Sequence, residues 1–329
     1  MDESARLARR AGREVVVAAR ASDVKPRPGD CVHLFNIQRC LDWGDLPERT
    51  RSAGARLLLT PLLHPTGDYH LRGRRGLDAL AARIVPSADA YAGLRWGRKS
   101  LAARARAVLG LADSVLLSHE REERLLLDTF GLVLEPGKRQ VIPVAIPDRS
   151  ELDSGARDTE PSGDFVLCAG RLEPLKNSEA VARACAALQL PVGFAGSRPG
   201  MRHLGYGRGI LKEGNWLGEL SYSELRSTMA RARVHVLASW AEVVGRVSLE
   251  AALAGAAVVL SDVGFGPDYL GRGTEGVFLF APGDENGLKD AIAAAWERGR
   301  RPESALVERV RTRYTWEVVG PALVEAWSA

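Results

Sequence analysis

Cysteine and long apolar runs are scarce in this sequence. Four cysteines are spread over 329 residues without a C-x-x-C pair, so we expect neither a disulfide framework nor a zinc site. The longest apolar stretch, residues 251–260, has about half of the ~20 residues needed to cross a bilayer. The chain begins Met-Asp-Glu-Ser without the apolar segment of a secretory signal. These features together predict a soluble protein of the reducing cytoplasm.

Aromatic residues and concentrated charge are also limited. Aromatics make up 6% of the chain, and no Lys/Arg tract with interleaved aromatics is present, so nucleic-acid binding is not expected. No G-x-x-x-x-G-K-[ST] element occurs, which argues against a P-loop NTPase, and the glycine-rich loop at 261–268 lacks the G-x-G-x-x-G spacing of a nicotinamide dinucleotide site. The net charge of +4 suits a phosphate-bearing ligand and leaves peripheral contact with an anionic membrane face open.

What the sequence does contain is a regular alternation of strand and helix signals. Short apolar runs alternate with Ala-, Leu- and Arg-rich helical segments, which is typical of parallel strands joined by crossover helices. A polar stretch at 147–163 interrupts the alternation and is interpreted as a linker. The predicted strands are 15–19, 31–35, 56–60, 114–117, 141–144, 165–169, 192–195, 234–238, 257–261 and 277–280, and the predicted helices are 5–13, 77–84, 101–109, 178–187, 222–232, 247–254, 285–298 and 316–327.

This order predicts the α/β class, with two doubly wound units in tandem. Sheets of this kind bind ligands at the carboxyl ends of their strands. We therefore expect the functional site in the cleft between the two units.

The stretch from Ser239 to Glu250 carries the strongest chemical signal. It follows a predicted strand and opens an Ala- and Leu-rich helix, with Glu242 in the loop and Glu250 expected in the first helical turn. Backbone N–H groups at such a helix start form an anion site suited to a phosphate. An acidic residue in a first turn can instead merely offset the helix dipole, and this second interpretation of Glu250 stays open.

Two further loops follow predicted strands. Residues 170–177 read Gly-Arg-Leu-Glu-Pro-Leu-Lys-Asn, and their two cations, Arg171 and Lys176, could grip a diphosphate from two sides. The alternative is an ordinary surface arginine and lysine, against which the position at a strand end argues. Residues 261–268, Ser-Asp-Val-Gly-Phe-Gly-Pro-Asp, contain glycines that allow the backbone to approach a ligand closely.

Taken together, these stretches resemble the donor half of glycosyltransferase family 4, which has the GT-B architecture of two Rossmann-like domains facing across a cleft. The donor-half match rests on order and spacing, and weaker similarities lie in the first half and at the end of the chain. The stretches that carry the resemblance are 170–177, 218–221, 242–250 and 261–268, with 30–34, 60–64, 117–120, 141–143 and 314–317 adding to it.

The resemblance implies a retaining transfer of a hexosyl group from a nucleoside-diphosphate sugar to an acceptor hydroxyl. Glu242 would contact the hydroxyls of the donor sugar, and Glu250 the ribose. Arg171 and Lys176 would hold the diphosphate as it leaves. No D-x-D motif is present, and neither a metal nor a further cofactor is expected. The remaining donor-binding residues would be Gly170, Asn177, Gly245, Arg246 and Val247.

The first half would bind the acceptor, a small molecule or a glycan. By the resemblance, His64 would face the sugar as a catalytic polar residue, although a histidine at a strand end is also commonly structural. Asp68 and His70 lie on the following loop, where we expect acceptor recognition. The predicted division is an acceptor domain over 1–150, a donor domain over 151–315 and a helix at 316–329 that packs back toward the first domain.

The chain departs from the family pattern at three places. The usual Glu-Gly-Phe-Gly is Glu242-Val243-Val244-Gly245, and the usual second glycine of the next loop is Phe265. The opening strand and Gly-rich loop of the family have no counterpart before residue 5. Two rival functions therefore stay open, a GT-B-type nucleotide-sugar epimerase and a non-catalytic sugar-nucleotide-binding partner subunit.

Overall fold

The computed structural model describes residues 2–64, 66–85, 101–148, 165–200, 203, 205–212 and 216–328. These residues form two compact units. The first comprises the described residues within 1–63, 87–144 and 317–329, and the second those within 64–86 and 145–316. The predicted linker at 147–163 lies outside the described residues from position 149 onward.

The elements follow the predicted alternation closely. The strands are β1 Cys31–Phe35, β2 Arg56–Thr60, β3 Ser114–Leu117, β4 Arg139–Val141, β5 Val166–Ala169, β6 Val192–Ala195, β7 Trp216–Gly218, β8 Val234–Leu237, β9 Ala257–Ser261 and β10 Val277–Phe280. The α-helices are α1 Asp2–Arg10, α2 Leu46–Ser52, α3 Gly76–Ile84, α4 Leu101–Leu111, α5 Arg121–Phe130, α6 Ser178–Ala187, α7 Arg208–Lys212, α8 Tyr222–Arg231, α9 Arg246–Leu253, α10 Gly266–Leu270, α11 Glu285–Arg298, α12 Ala305–Tyr314 and α13 Trp316–Ser328.

The first unit is built on a parallel sheet in the order β1-β2-β3-β4. The last helix, α13, belongs to this unit from Glu317 onward, and its Trp327 indole N–H donates to Nδ1 of His33 on β1 at 3.1 Å. Since Nδ1 accepts this bond, the imidazole proton sits on Nε2, which donates to Thr60 Oγ1 at 2.7 Å. Burial lowers the pKa of His33 to about 3, so the ring is neutral.

One predicted strand of the first unit is wrong. Residues 15–19 form no strand, and the side chains of Val16 and Val17 are 79% and 46% exposed. An apolar run becomes a strand only where a neighbouring strand pairs with its backbone, and within the described part of the chain β1 pairs with β2 alone. The strand predicted at 141–144 also lies two residues earlier, at Arg139–Val141.

The second unit is built on a parallel sheet in the order β10-β9-β8-β5-β6-β7. Helices α6 and α11 pack on one face of it, where Val181 and Ile292 are fully buried. Helices α8 and α9 cover the opposite face through Met229 and Ala251. The sheet is thus doubly wound, and the α/β class is confirmed.

The order of this sheet reverses between β5 and β8. The chain moves outward from β5 through β6 and β7, then returns to place β8 on the other side of β5. The loops after β5 and β8 therefore leave neighbouring strands in opposite directions, which opens a crevice at their carboxyl ends.

A segment from the first half of the chain belongs to the second unit. Residues 64–86 include a π-helical turn, Tyr69–Gly73, and the helix α3. The turn packs against the short 3-10 turn Pro174–Lys176 that follows β5. Among the described helices, none combines the length and apolar character needed to cross a bilayer.

Candidate functional site

The loop after β5 places Lys176 at the crevice. The Gly170 N–H donates to Ala195 O at 2.8 Å, so the loop begins tied to the neighbouring strand β6. Pro174 opens the 3-10 turn that ends at Lys176, and Asn177 follows with a left-handed φ of 54° before α6 begins. Asparagine tolerates this conformation better than most residues. The local sequence therefore turns the chain sharply and leaves the Lys176 side chain at the strand end.

The loop after β8 is joined to that turn at two points. The Trp240 N–H donates to Leu175 O at 2.9 Å. One residue later in the first loop, Lys176 Nζ donates to Glu242 Oε2 at 2.5 Å, and both side chains are about one-fifth exposed (19% and 20%). Ser239 Oγ also donates to Glu242 Oε2, at 3.3 Å. Glu242 and Lys176, two predicted catalytic residues from distant parts of the sequence, thus form one ion pair at the switch point.

Gly245 lies beside this pair at the start of α9. Its φ is 74°, and a Cβ there would lie 2.5 Å from Leu237 Cδ2 and 3.4 Å from Glu242 Cγ. Only glycine fits both the conformation and the space. The first N–H groups of an α-helix have no partner within the helix, so the Arg246 and Val247 end of α9 points partial positive charge toward the same strand ends.

Glu250 lies further along α9 than predicted. It is the fifth residue of the helix rather than a first-turn residue, it is 6% exposed, and its Oε1 lies 3.8 Å from Arg246 Nη2. The effect of the helix dipole falls off within the first turn. The interpretation of Glu250 as a simple dipole partner therefore loses its basis.

The glycine-rich loop after β9 contacts the Glu242 loop directly. A Cβ on Gly264 would lie 2.1 Å from Glu242 O, and one on Gly266 would lie 2.4 Å from Val244 O. The Phe265 N–H donates to Val243 O at 2.6 Å. These glycines serve an approach of backbone to backbone, and the buried Val244 lines a small pocket with Glu242. The pocket is lined by Leu237, Glu242, Val244, Leu260, Ser261, Val263, Gly266 and Pro267.

Four further predicted site residues lie outside the ion pair, namely Arg171, His64, Asp68 and His70. Arg171 is two-thirds exposed (67%), and its Nη2 lies 3.0 Å from Glu173 Oε1. His64 is half-buried, and Asp68 is exposed. His70 is 1% exposed, with Nδ1 accepting from Arg74 Nε at 3.2 Å and Nε2 lying 3.3 Å from Val85 O. In this conformation the His70 ring holds the turn rather than facing solvent, so its acceptor role stays a prediction.

Sequence reasoning missed Trp240, which packs between the turn Tyr69–Gly73 and the loop at Gly283 and is bonded to the loop after β5. Its ring is 6% exposed, and Cβ atoms on Gly73 and Gly283 would lie 2.8 Å and 2.3 Å from it. The ring is therefore wedged between two glycines that are far apart in the sequence. No local pattern links Gly73 to Trp240, so no sequence signal could have found this contact.

Glu122 in the first unit was also missed. It is fully buried and accepts from the N–H groups of Leu63 and Ser118, each at 2.7 Å, and from Ser118 Oγ at 2.8 Å. Burial raises the pKa of this carboxyl group despite those three hydrogen bonds. It bridges the loops that follow β2 and β3. The described residues hold no group of three or more His, Cys, Asp or Glu side chains placed to bind a metal ion.

Comparison with solved structures defines the fold class. Sucrose-phosphate synthase from Thermosynechococcus elongatus matches with a TM-score of 0.65 at 20% identity, over 91% of this chain and 73% of that one. Anabaena HepE, solved in complex with UDP and glucose, matches with a TM-score of 0.56 at 17% identity, over 90% of this chain and 99% of that one. This likeness shows the fold alone, and the fold is GT-B.

Comparison of sequences gives a match to a family model within the second unit. Residues 163–298 match the family model described as Glycosyl transferases group 1. Glycogen synthase from Mycobacterium tuberculosis, strain H37Rv, is 33% identical over 127 residues, and the match covers 36% of this chain and 30% of the relative. The chain thus spans less than a third of the glycogen synthases it matches. The stretch that matches the family model, residues 163–298, contains both loops of the Lys176–Glu242 pair.

Proposed function

We propose that this chain is a glycosyltransferase that moves a hexosyl group from a nucleoside-diphosphate sugar to an acceptor hydroxyl. The observation that carries the proposal is the ion pair between Lys176 and Glu242. It joins the loops after β5 and β8 at the switch point of the doubly wound sheet, beside the start of α9. A cation, a carboxylate and a helix N-terminus at one strand edge suit a ligand that carries both a diphosphate and a sugar.

The charges of the pair indicate how the donor would bind. As the structure stands, Glu242 neutralises Lys176. A diphosphate placed at the start of α9 would compete for the ammonium group, which would free the Glu242 carboxylate to accept hydrogen bonds from sugar hydroxyls. Arg171, Gly170 and Asn177 would complete the phosphate side, and Glu250 would bind the ribose.

The transfer itself needs charge stabilisation above all. Breaking the bond between the anomeric carbon and the diphosphate produces an oxocarbenium-like sugar and an anionic leaving group. Lys176 and the α9 amides supply fixed positive potential at that leaving group. We propose a metal-independent reaction with retention, in which the acceptor hydroxyl attacks from the leaving-group face and the departing phosphate takes its proton. His64 would face the sugar, and no protein nucleophile is required.

The ligands bound in two solved neighbours suggest a first donor to test. HepE was solved with UDP and glucose, and the pneumococcal O-GlcNAc transferase GtfA, with a TM-score of 0.58 at 17% identity over 94% of this chain and 57% of that one, with UDP and GlcNAc. UDP-sugars are therefore the first donors to try with this chain.

A thermal-shift screen over sugar nucleotides tests the proposal. A ligand at 100 times its Kd stabilises the folded state by about 2.7 kcal/mol, which is a shift of several degrees. Lys176→Met should weaken the shift, whereas Lys138→Met, which removes a lysine paired with Glu135 at 3.3 Å in the first unit, should not. The absence of any shift with every sugar nucleotide would refute the proposal.

Analysis of the products formed from the stabilising sugar nucleotide separates the two rival functions. An epimerase would convert the stabilising sugar nucleotide to its epimer without any acceptor. A non-catalytic subunit would bind it tightly yet neither transfer nor hydrolyse the sugar. Release of the nucleoside diphosphate that depends on an added acceptor supports transfer.

A further inference from the structure

Arg72 is a cation near the candidate site that the donor chemistry does not use. It lies in the π-helical turn Tyr69–Gly73, and its side chain is exposed. Its guanidinium carbon lies 5.6 Å from the centroid of the Trp240 ring, which is cation–π distance. Among the residues that the structure describes, no carboxylate forms an ion pair with it.

The contact with Trp240 fixes Arg72 relative to the site. Gly73 follows Arg72 directly, and a Cβ there would lie 2.8 Å from Trp240 Cγ and 2.6 Å from Tyr69 Cδ2. Trp240 in turn is held by its N–H bond to Leu175 O, next to Lys176. Arg72 therefore packs against the loops that carry Lys176 and Glu242, although it comes from the first half of the sequence.

The other two arginines of this segment have partners. Arg74 donates to His70 Nδ1 at 3.2 Å and lies over the Tyr69 ring at 5.2 Å. Arg75 interacts electrostatically with Glu285. The hydrogen bond with Arg183 is the largest cause that lowers the pKa of that carboxyl, and the charge of Arg75 lowers it further. Arg72 is more exposed than Arg74, its described contact is the face of the Trp240 ring, and it sits on the segment where acceptor recognition is expected.

We infer that Arg72 binds an anionic group, a phosphate or a carboxylate, on the acceptor. This inference rests on the proposed function and adds the chemical class of the second substrate. An arginine guanidinium presents two parallel N–H donors that match the oxygens of either group, and stacking on Trp240 restricts its orientation before binding. The donor diphosphate has cations of its own in Lys176 and Arg171, so Arg72 is left for the other substrate.

The test compares matched acceptors that differ in charge. The donor is the sugar nucleotide that stabilises the protein most, and the readout is release of its nucleoside diphosphate. The acceptor pairs are glucose against glucose 6-phosphate and glucuronate, and glycerol against glycerol 3-phosphate. Vesicles of phosphatidylglycerol against phosphatidylcholine present the same anionic chemistry on a lipid, so they distinguish a membrane source from a soluble one.

We expect at least one anionic member to be preferred over its neutral partner. Arg72→Gln should raise the KM for that anionic acceptor about 10- to 100-fold, the worth of a charge-assisted hydrogen bond, with little change for the neutral partner. Arg72→Lys should retain part of the preference because it keeps the charge but not the planar fork. Arg75→Gln is the matched control, since it removes the same charge three residues later.

Three results would overturn the inference. They are equal use of charged and neutral acceptors, an unchanged preference in Arg72→Gln, and an equal loss in Arg72→Gln and Arg75→Gln, which would indicate long-range charge alone. Nucleotide binding in the thermal-shift screen separates this failure from failure of the proposed function. If the wild-type protein binds a sugar nucleotide and these results follow, the donor proposal stands and only the acceptor class falls.

Discussion

Replacing Lys176 by methionine removes one ammonium group and keeps most of the length of the side chain. In the structure that ammonium donates to Glu242 Oε2 at 2.5 Å, and without it the carboxylate keeps the Ser239 hydroxyl at 3.3 Å. The substitution therefore changes two things, the pairing of Glu242 in the folded protein and the positive potential at the proposed leaving group.

The two effects have different magnitudes. Hydrogen bonds to charged groups contribute about 1.5–3 kcal/mol. Both side chains retain about one-fifth of their exposure, so we expect Lys176→Met to lower the free energy of unfolding by an amount within that range, below the cost of breaking a fully buried pair. Loss of one preorganised charge donor at a transition state costs about 10²–10³ in turnover.

A double-mutant cycle separates them. Urea unfolding of Lys176→Met, Glu242→Gln and the double variant should give a coupling energy of about 0.5–3 kcal/mol. Transfer kinetics on Lys176→Met should show the loss in kcat, with Lys138→Met as a lysine variant outside the site. Strictly additive stabilities would refute the pairing, and near-normal turnover in Lys176→Met would refute the leaving-group role.

Two further predictions concern stability. Gly264→Ala, whose Cβ would lie 2.1 Å from Glu242 O, should lower the melting temperature more than Gly273→Ala, which has a similar φ (79° against 65°) but no atom within 4 Å, and equal losses would show that backbone strain alone matters. Burial lowers the pKa of His33 to about 3 and of His235 to about 4, so the unfolded chain binds more protons below its histidine pKa of about 6.5. The contribution of these two histidines to the free energy of unfolding is complete above that pH and is lost as the pH falls toward 4, by about 2 kcal/mol each at pH 5. Unfolding midpoints in urea at pH 7.5 and 5.0 measure this loss. Equal midpoints at the two pH values would contradict the prediction.

Several elements could be predicted because their signal is local. The strands 56–60, 114–117, 192–195, 257–261 and 277–280 and the helices 178–187 and 285–298 were predicted with the bounds that the structure has. Each is an apolar run or a helical pattern bounded by turn residues, and burial on both faces of a parallel sheet makes such runs stand out. The apolar run at 15–19 has the same local pattern, but the strand predicted there was wrong. Its residues contain no information on whether a neighbouring strand is available to pair with it.

For the candidate site, too, local features could be predicted from the sequence and contacts between distant segments could not. Sequence by itself determined that Lys176, Glu242 and the glycines of residues 261–268 follow strands, since each lies in the loop after an apolar run. Only the tertiary structure decided that Lys176 reaches Glu242, that Gly264 serves the backbone of the Glu242 loop, and that the turn carrying Arg72 packs on Trp240. Contacts of this kind depend on strand order and on side-chain packing between distant segments, which a local pattern of residues does not contain.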